Sequence, residues 1–493
     1  MRSLLAVAAS VVLVTGCTMP PAPEPVESPA MTSSAAPRPF TVTTTEVPTT
    51  FDPAAATTSA DALVALNAFS RLMVVHPQRG DLKPDLARDC LYTSPTTYQC
   101  DLPPGLTFHN GHALTASDVK FSIERAYRLS VPRSSIQLFD SLERVDVVDD
   151  QTVSFVLKYA DSQFGYALAT PAASIVDEEI YDPDAARSND GQVVGSGPYQ
   201  LVTTAPDRLV FDRFDTYKGA LAGQIDEIQV SFAADSAAVE QAVAEASTDV
   251  VWRSLNGAAL QRLSAEMDAN DGATKEGFTQ VELPQVRVQR LVFHPGSPYR
   301  ENPSVRSAVA AALQADRTLG SIVPPTVEGA VDAFAVGGSG QVPDLGGQRL
   351  RLTLAYSSRA PGQRDLASML RDRLEESAGM SVQLVADTND ADLLLTDRPA
   401  WVNTAFGWLQ SYVDDALPGS QAKVDDLVKR ARETTDPSTR LALLAEIQQQ
   451  AAVDLTVLPI SIGPETMLLG PGTSLQGQPF GPAWQLGLWS LRD

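Results

Sequence analysis

Residues 108–126 read FHNGHALTASDVKFSIERA, and the reading of this stretch decides the fold. Asn110-Gly111 marks a tight turn, because both residues tolerate the left-handed backbone that turns demand. Thr115 is followed three residues later by Asp118, a variant of the capping box in which side chains satisfy backbone N–H groups that a first helical turn leaves free. Val119, Ile123 and Ala126 then recur at helical spacing. The pattern predicts a strand and turn feeding a capped amphipathic helix. His109 and His112 stand three apart within that turn, with no helix to aim them at one ion, so they read as surface-turn residues. No metal or other cofactor is expected.

The same mixture of strand and helix extends outward. Upstream, residues 41–47 alternate like a strand, Phe51-Asp52-Pro53 interrupts them, and residues 61–75 read as one helix. Cys90 and Cys100 bracket a hairpin with Ser94-Pro95-Thr96-Thr97 at its tip, and in an exported chain the pair is expected to form a disulfide. Downstream, residues 145–157 divide into two strands at Asp149-Asp150. Residues 195–199, GSGPY, read as a turn ahead of a strand, because they lack the Lys and following helix of a phosphate loop. Residues 286–294 are strand-like, and Pro303 opens a helix carrying Val305, Val309 and Leu313. Residues 350–356, 362–377 and 382–386 read as strand, helix and strand, which implies a parallel pair in an α/β layer. Asp436-Pro437 opens the last long helix, with Leu441, Leu444, Ile447 and Ala451 along one side.

Bulk properties narrow the class. A chain of 493 residues suggests about three structural units. A formal charge of −23 with no basic stripe argues against nucleic acid as a partner. With 44% hydrophobic and 20% charged residues, the chain reads as globular rather than disordered or polytopic. Arg2 precedes an apolar run over residues 4–14, too short for a bilayer crossing of about 20 residues and suited to a secretory signal. The run ends in Val14-Thr15-Gly16-Cys17, which resembles the bacterial lipobox and implies a lipid on Cys17 after cleavage. Residues 17–39 are rich in Pro, Ser, Thr and Ala and read as an extended tether.

Four segments together resemble the peptide/nickel class of bacterial extracellular solute-binding proteins, the receptors of ABC importers. They are residues 108–126, GSGPYQL at 195–201, PSVRSAVAAALQADR at 303–317, and the helix pair with its return at 424–460. The resemblance implies an α/β fold of two lobes, periplasmic-binding-protein-like of type II, with the ligand cleft between the lobes. It places the first lobe, with an inserted subdomain, at residues 40–282, the second at 283–459, and a return to the first at 460–493. Ligand capture would then proceed by hinge closure.

Peptide-binding members of that class carry G-W-x-x-D-Y-x-D-P, whose first Asp pairs with the ligand's α-ammonium. The nearest segment here is Gly407-Trp408-Leu409-Gln410-Ser411-Tyr412-Val413-Asp414, with Ser411 where that Asp is expected. Asp414 or Asp415 offers a substitute, and a second alignment places Asp397 and Trp401 there. Trp252, Trp401 and Trp408 are each equally compatible with the cleft and with a core, and His294 follows a strand expected to face the cleft. The candidate ligand-binding set is therefore Trp252, His294, Trp401, Trp408, Ser411, Tyr412 and Asp414.

The function these readings imply is a monomeric, lipid-anchored receptor on the outer face of the cytoplasmic membrane. It would pass a short peptide or similar small solute to an ABC permease and its ATPase subunits. The alternative, motivated by Ser411, is a transport-inactive envelope protein with an interaction or regulatory role. No G-x-S-x-G, H-E-x-x-H or Walker pattern is present, so an enzyme is not expected.

Overall fold

The computed structural model describes residues 38–189, 193–346, 349–397 and 400–493; the signal run, Cys17 and nearly all of the tether lie outside them. One ten-stranded sheet organises the described chain. Its spatial order is Tyr199–Ala205, Arg208–Arg213, Glu227–Phe232, Phe40–Thr44, Val250–Trp252, Val457–Leu469, Thr279–Phe293, Leu393–Thr396, Arg351–Tyr356 and Ser381–Ala386. Phe40–Thr44 lies parallel to both of its neighbours. Arg351–Tyr356 and Ser381–Ala386 also run parallel, with the helix Gln363–Ala378 between them in sequence, as the strand–helix–strand pattern predicts.

The two long central strands carry the architecture. Thr279–Phe293 and Val457–Leu469 run antiparallel, and their ladder breaks between Leu283, opposite Glu465, and Arg287, opposite Gly463. On one side of the break the ribbon pairs with Val250–Trp252, and on the other with Leu393–Thr396. Separate cores flank it. One contains Val42, Leu66, Phe211 and Met467; another contains Leu291, Leu354, Leu370, Trp408 and Val457.

Local chemistry explains the elements. The helix Ala116–Leu129 begins with the expected capping box of Thr115 and Asp118, and Val119, Ile123 and Ala126 are buried in the core. Cys90 and Cys100 sit opposite each other in the hairpin of Asp89–Ser94 and Thr97–Asp101, joined by a disulfide. In the loop-entropy account this closure stabilises the fold by about 3 kcal/mol. The GSGPY turn has a packing reason: a Cβ on Gly197 would meet backbone atoms of Asn67, Ala68 and Phe69 at 2.6 Å. His109 binds that same turn, its backbone N–H donating to Gly195 and its Nε2 lying 3.1 Å from the Gly197 carbonyl. Burial pushes the His109 ring down to about 4.

One expectation is corrected. Residues 61–75 are not one helix: Ser59–Ala68 is helical, and Met73–Val75 is a strand. The apolar run supplied no stop signal, but Arg71 folds back and donates to the carbonyls of Leu66 and Phe69, satisfying the end of the helix from inside the core.

Candidate functional site

Two clusters of buried charge join the halves of the molecule that flank the break in the central ribbon. Beside the break, Arg253 is the hub. Its Nη1 lies 2.6 Å from Glu465, its Nε 3.2 Å from Glu46 and its Nη2 3.6 Å from Asp397. Asp397 also holds Arg287 at 2.8 Å. The positions come from the end of Val250–Trp252, from the ribbon itself, and from the end of Leu393–Thr396. Burial works against the charge on Asp397, yet Arg287 and Arg253 outweigh it and hold the carboxyl below its ordinary value. Burial pushes the Glu46 carboxyl up, opposed by Arg253 and reinforced by Asp397 and Glu465.

At a second place, Arg432 from the helix Gln421–Glu433 reaches across. It pairs with Asp161 at 3.2 Å and with Asp140 at short range, and its carbonyl accepts from the Ser162 N–H. Asp161 is further held by the Ser141 hydroxyl and the Gln163 N–H. Nearby, Trp401 and Val402 pack among residues such as Leu138 and Phe164 of the opposite core, and the Trp401 indole donates to the Arg133 carbonyl. Asn403 adds a hydrogen bond to the Pro77 carbonyl.

Two crevices accompany these clusters. One is narrow, with room for little more than a water molecule, and is lined from both sides: Gln163, Tyr166 and Ala167 on one, Thr404, Phe406 and Arg432 on the other. Its walls are apolar with a few polar groups. The second, equally narrow, lies within the first half, at the carboxyl ends of Phe40–Thr44, Glu227–Phe232 and Val250–Trp252. Among the described residues no group of three His, Cys, Asp or Glu is arranged to hold a metal, and His112 is paired with Asp177 at 2.8 Å.

The residues singled out in the sequence fall in different places. Trp252 lines the second crevice and stacks on Phe480, with ring centroids 5.7 Å apart. Trp401 lies between the halves. Gly407 and Trp408 belong to the helix Ala405–Val413, and Trp408 is a core residue whose indole donates to Asn403. Tyr412 is buried one turn further on, donating to Asp454 at 2.7 Å. Ser411 accepts from Arg290, and Asp414 closes the helix, accepting from Gln410. His294 sits in a turn beyond the end of its strand, where its Nδ1 accepts from the Gly296 N–H, and it lines neither crevice. Asp397, from the second alignment, is occupied by Arg287 and Arg253. Sequence reading missed Glu46, Arg253, Arg287 and Arg432. Arg432 alone carries a signal, since it occupies the helical stripe of Val424 and Val428, where an apolar residue is expected.

Comparison with known proteins completes the description. A model of bacterial extracellular solute-binding proteins, family 5 Middle, matches residues 81–341. An HTH-type transcriptional regulator, SgrR of Pectobacterium atrosepticum, is 29% identical over 179 residues. That alignment covers 36% of this chain and 30% of the relative, so the chain spans less than a third of that protein's length. Among solved structures, the binding protein AgaA of A. tumefaciens R10 in complex with agropinic acid superposes with a TM-score of 0.80 at 18% identity, covering 92% of this chain and 98% of that one. The ABC transporter-associated periplasmic binding protein DppA of Helicobacter pylori, in complex with peptide STSA, gives 0.76 at 16% identity, with 92% and 97% covered. At such identities these likenesses establish the two-lobed fold.

Proposed function

The chain belongs to the bacterial extracellular solute-binding proteins of family 5, and from that premise we propose that it captures a short peptide or similar small solute between its lobes for an ABC importer. The observation that carries the proposal is the crevice lined from both sides, by Gln163 and Tyr166 on one and by Thr404, Phe406 and Arg432 on the other. A solute held there touches both lobes, and only contacts made to both favour the closed state. The broken ladder at Leu283 and Arg287 is the natural hinge. On this reading the first lobe comprises residues 40–282 and 460–493, the second comprises 283–459, and a lipid on Cys17 holds the receptor at the outer face of the membrane. The relatives' ligands, agropinic acid in one and a peptide in another, support a small-solute class without fixing its member.

Mass spectrometry of material released on denaturing the natively purified protein tests the proposal. A stoichiometric peptide or related solute is expected, with a matching rise in melting temperature when that solute is returned. An empty protein that no peptide mixture stabilises would overturn it. One observation favours a second reading, an envelope interaction or regulatory protein without transport: the interlobe carboxylates Asp397 and Asp161 are already engaged by the chain's own guanidinium groups.

A further inference from the structure

Between the strand Leu393–Thr396 and the helix Ala405–Val413 the chain leaves one core for another and returns. Ala400, Ala405 and Phe406 pack in the core of Leu291 and Leu354, whereas Trp401 and Val402 pack in that of Leu138 and Phe164. Only 5% of Trp401 and 2% of Val402 stays exposed. Two large apolar side chains are thus withdrawn from water only while the halves are together, and their burial favours the closed state with no solute present.

The excursion is fastened on both sides. Across the gap, carbonyl oxygens from three separate segments receive it. That of Arg133 accepts from the Trp401 indole at 3.1 Å, that of Pro77 from the Asn403 side chain at 2.9 Å, and that of Pro482 from the Asn403 backbone N–H at 3.0 Å. On its own side, Asn403 Oδ1 accepts from the Trp408 indole at 2.7 Å, and the Val402 carbonyl accepts from the Thr404 N–H at 2.8 Å. Gly407 belongs to the same arrangement, since a Cβ there would collide with the Val402 carbonyl oxygen. Trp401 and Val402 are therefore presented in a fixed pose, which lowers the entropy lost on docking. Val402 and Thr404 also line the narrow crevice between the halves, opposite Leu138, Gln163 and Ala167. The chain itself occupies this ground with an indole, an isopropyl group and an amide whose N–H donors meet carbonyls, the chemistry of a short apolar peptide.

We propose that Trp401 and Val402 form a tethered plug that takes the ligand's place and shuts the protein without solute. A solute enters only when the plug leaves the opposite core, so it competes with a group held at an effective concentration of about millimolar or more. The solute that displaces it best makes the same contacts, with an apolar or aromatic side chain beside N–H donors. In calling the place the ligand's, the inference rests on the solute-capture reading; closure by the plug does not.

Small-angle X-ray scattering of the solute-free protein, together with calorimetric titration with the dipeptide Trp-Val-amide, tests the plug. The wild type is expected to be compact. Trp401→Ala is expected to have a larger radius of gyration and to bind the dipeptide about tenfold or more tightly, because the competent state is no longer blocked. A residue that merely packs would weaken binding when removed, not tighten it. Val402→Ala, a smaller deletion at the same place, is read in the same way if Trp401→Ala does not fold. Scattering that does not differ between variant and wild type overturns the plug, as does equal affinity of the two proteins for the dipeptide or no binding by the variant. If the plug fails in any of these ways while a peptide mixture still stabilises both proteins, solute capture stands. If the variant opens and binds Trp-Val-amide but the peptide mixture stabilises neither protein, the plug stands and solute capture has failed.

Discussion

The two charge clusters that join the lobes differ in where each keeps its surplus carboxylate. At the outer cluster Arg432 faces Asp161, fully buried, and Asp140, whose side chain is 48% exposed. The surplus charge there is hydrated and costs little. At the inner cluster the least well-paired carboxylate, Glu46, has a side chain only 19% exposed. The same chemistry therefore serves two ends. Each cluster has one carboxylate more than its guanidinium groups, and they differ in that the outer one exposes its surplus to water, whereas the inner one keeps its surplus largely covered.

Substitutions should separate the two. Arg253→Met removes the shared partner of three carboxylates and is expected to cost about 3–5 kcal/mol in urea unfolding, the penalty for stranding buried charge. A loss near zero would erase the contrast. Arg432→Met should cost less, about 1–3 kcal/mol, because Asp161 keeps its hydrogen bonds from Ser141 and Gln163. Solution scattering should also show the variant to be more open.

Glu46→Gln should act in the opposite sense. Since the Glu46 carboxyl is raised in the folded protein, its protonation favours the folded state. That stabilisation is present below the unfolded value of 4.5 and is lost as pH rises through the folded value. The variant should thus be more stable than the wild type at pH 7, by up to about 1 kcal/mol, with the gap closing in acid. A wild type that gains on the variant as pH rises would contradict this sign. The smallest effect belongs to Asp140→Asn, within about 0.5 kcal/mol and fading as salt is added. A larger loss would mean that Asp140 carries more of the clasp than its exposure allows.

The sequence disclosed those parts of the fold whose causes are local. Thr115 with Asp118, Asn302 before Pro303, and Asp436 before Pro437 each cap a helix as their spacing predicts. The end of the helix at Ala68 was hidden, because the group that answers its carbonyls is a buried arginine rather than a Gly or Pro. Gly407-Trp408 stands out in the sequence only as the nearest match to a ligand-binding motif, and its local structure is not visible there: Thr404 caps a helix over it, and Ala405, Phe406, Trp408, Leu409 and Tyr412 bury its apolar side. Most of the candidate site was illegible, since Glu46, Arg253, Asp397 and Glu465 are brought together from positions up to some four hundred residues apart, and no period or spacing marks them.

The central ribbon has a consequence for how the molecule can be taken apart. Leu283 and Glu465 are direct partners in an antiparallel ladder, so on the proposed lobe division the chain leaves the first lobe and re-enters it at neighbouring points. Paired residues of this kind lie about 5 Å apart, a gap that a two-residue hairpin turn spans. In genetic terms the intervening segment is a guest inserted at a single locus of its host. Joining the two flanks there with Asn-Gly should yield a free-standing first lobe, whereas no single cut in the gene could release it.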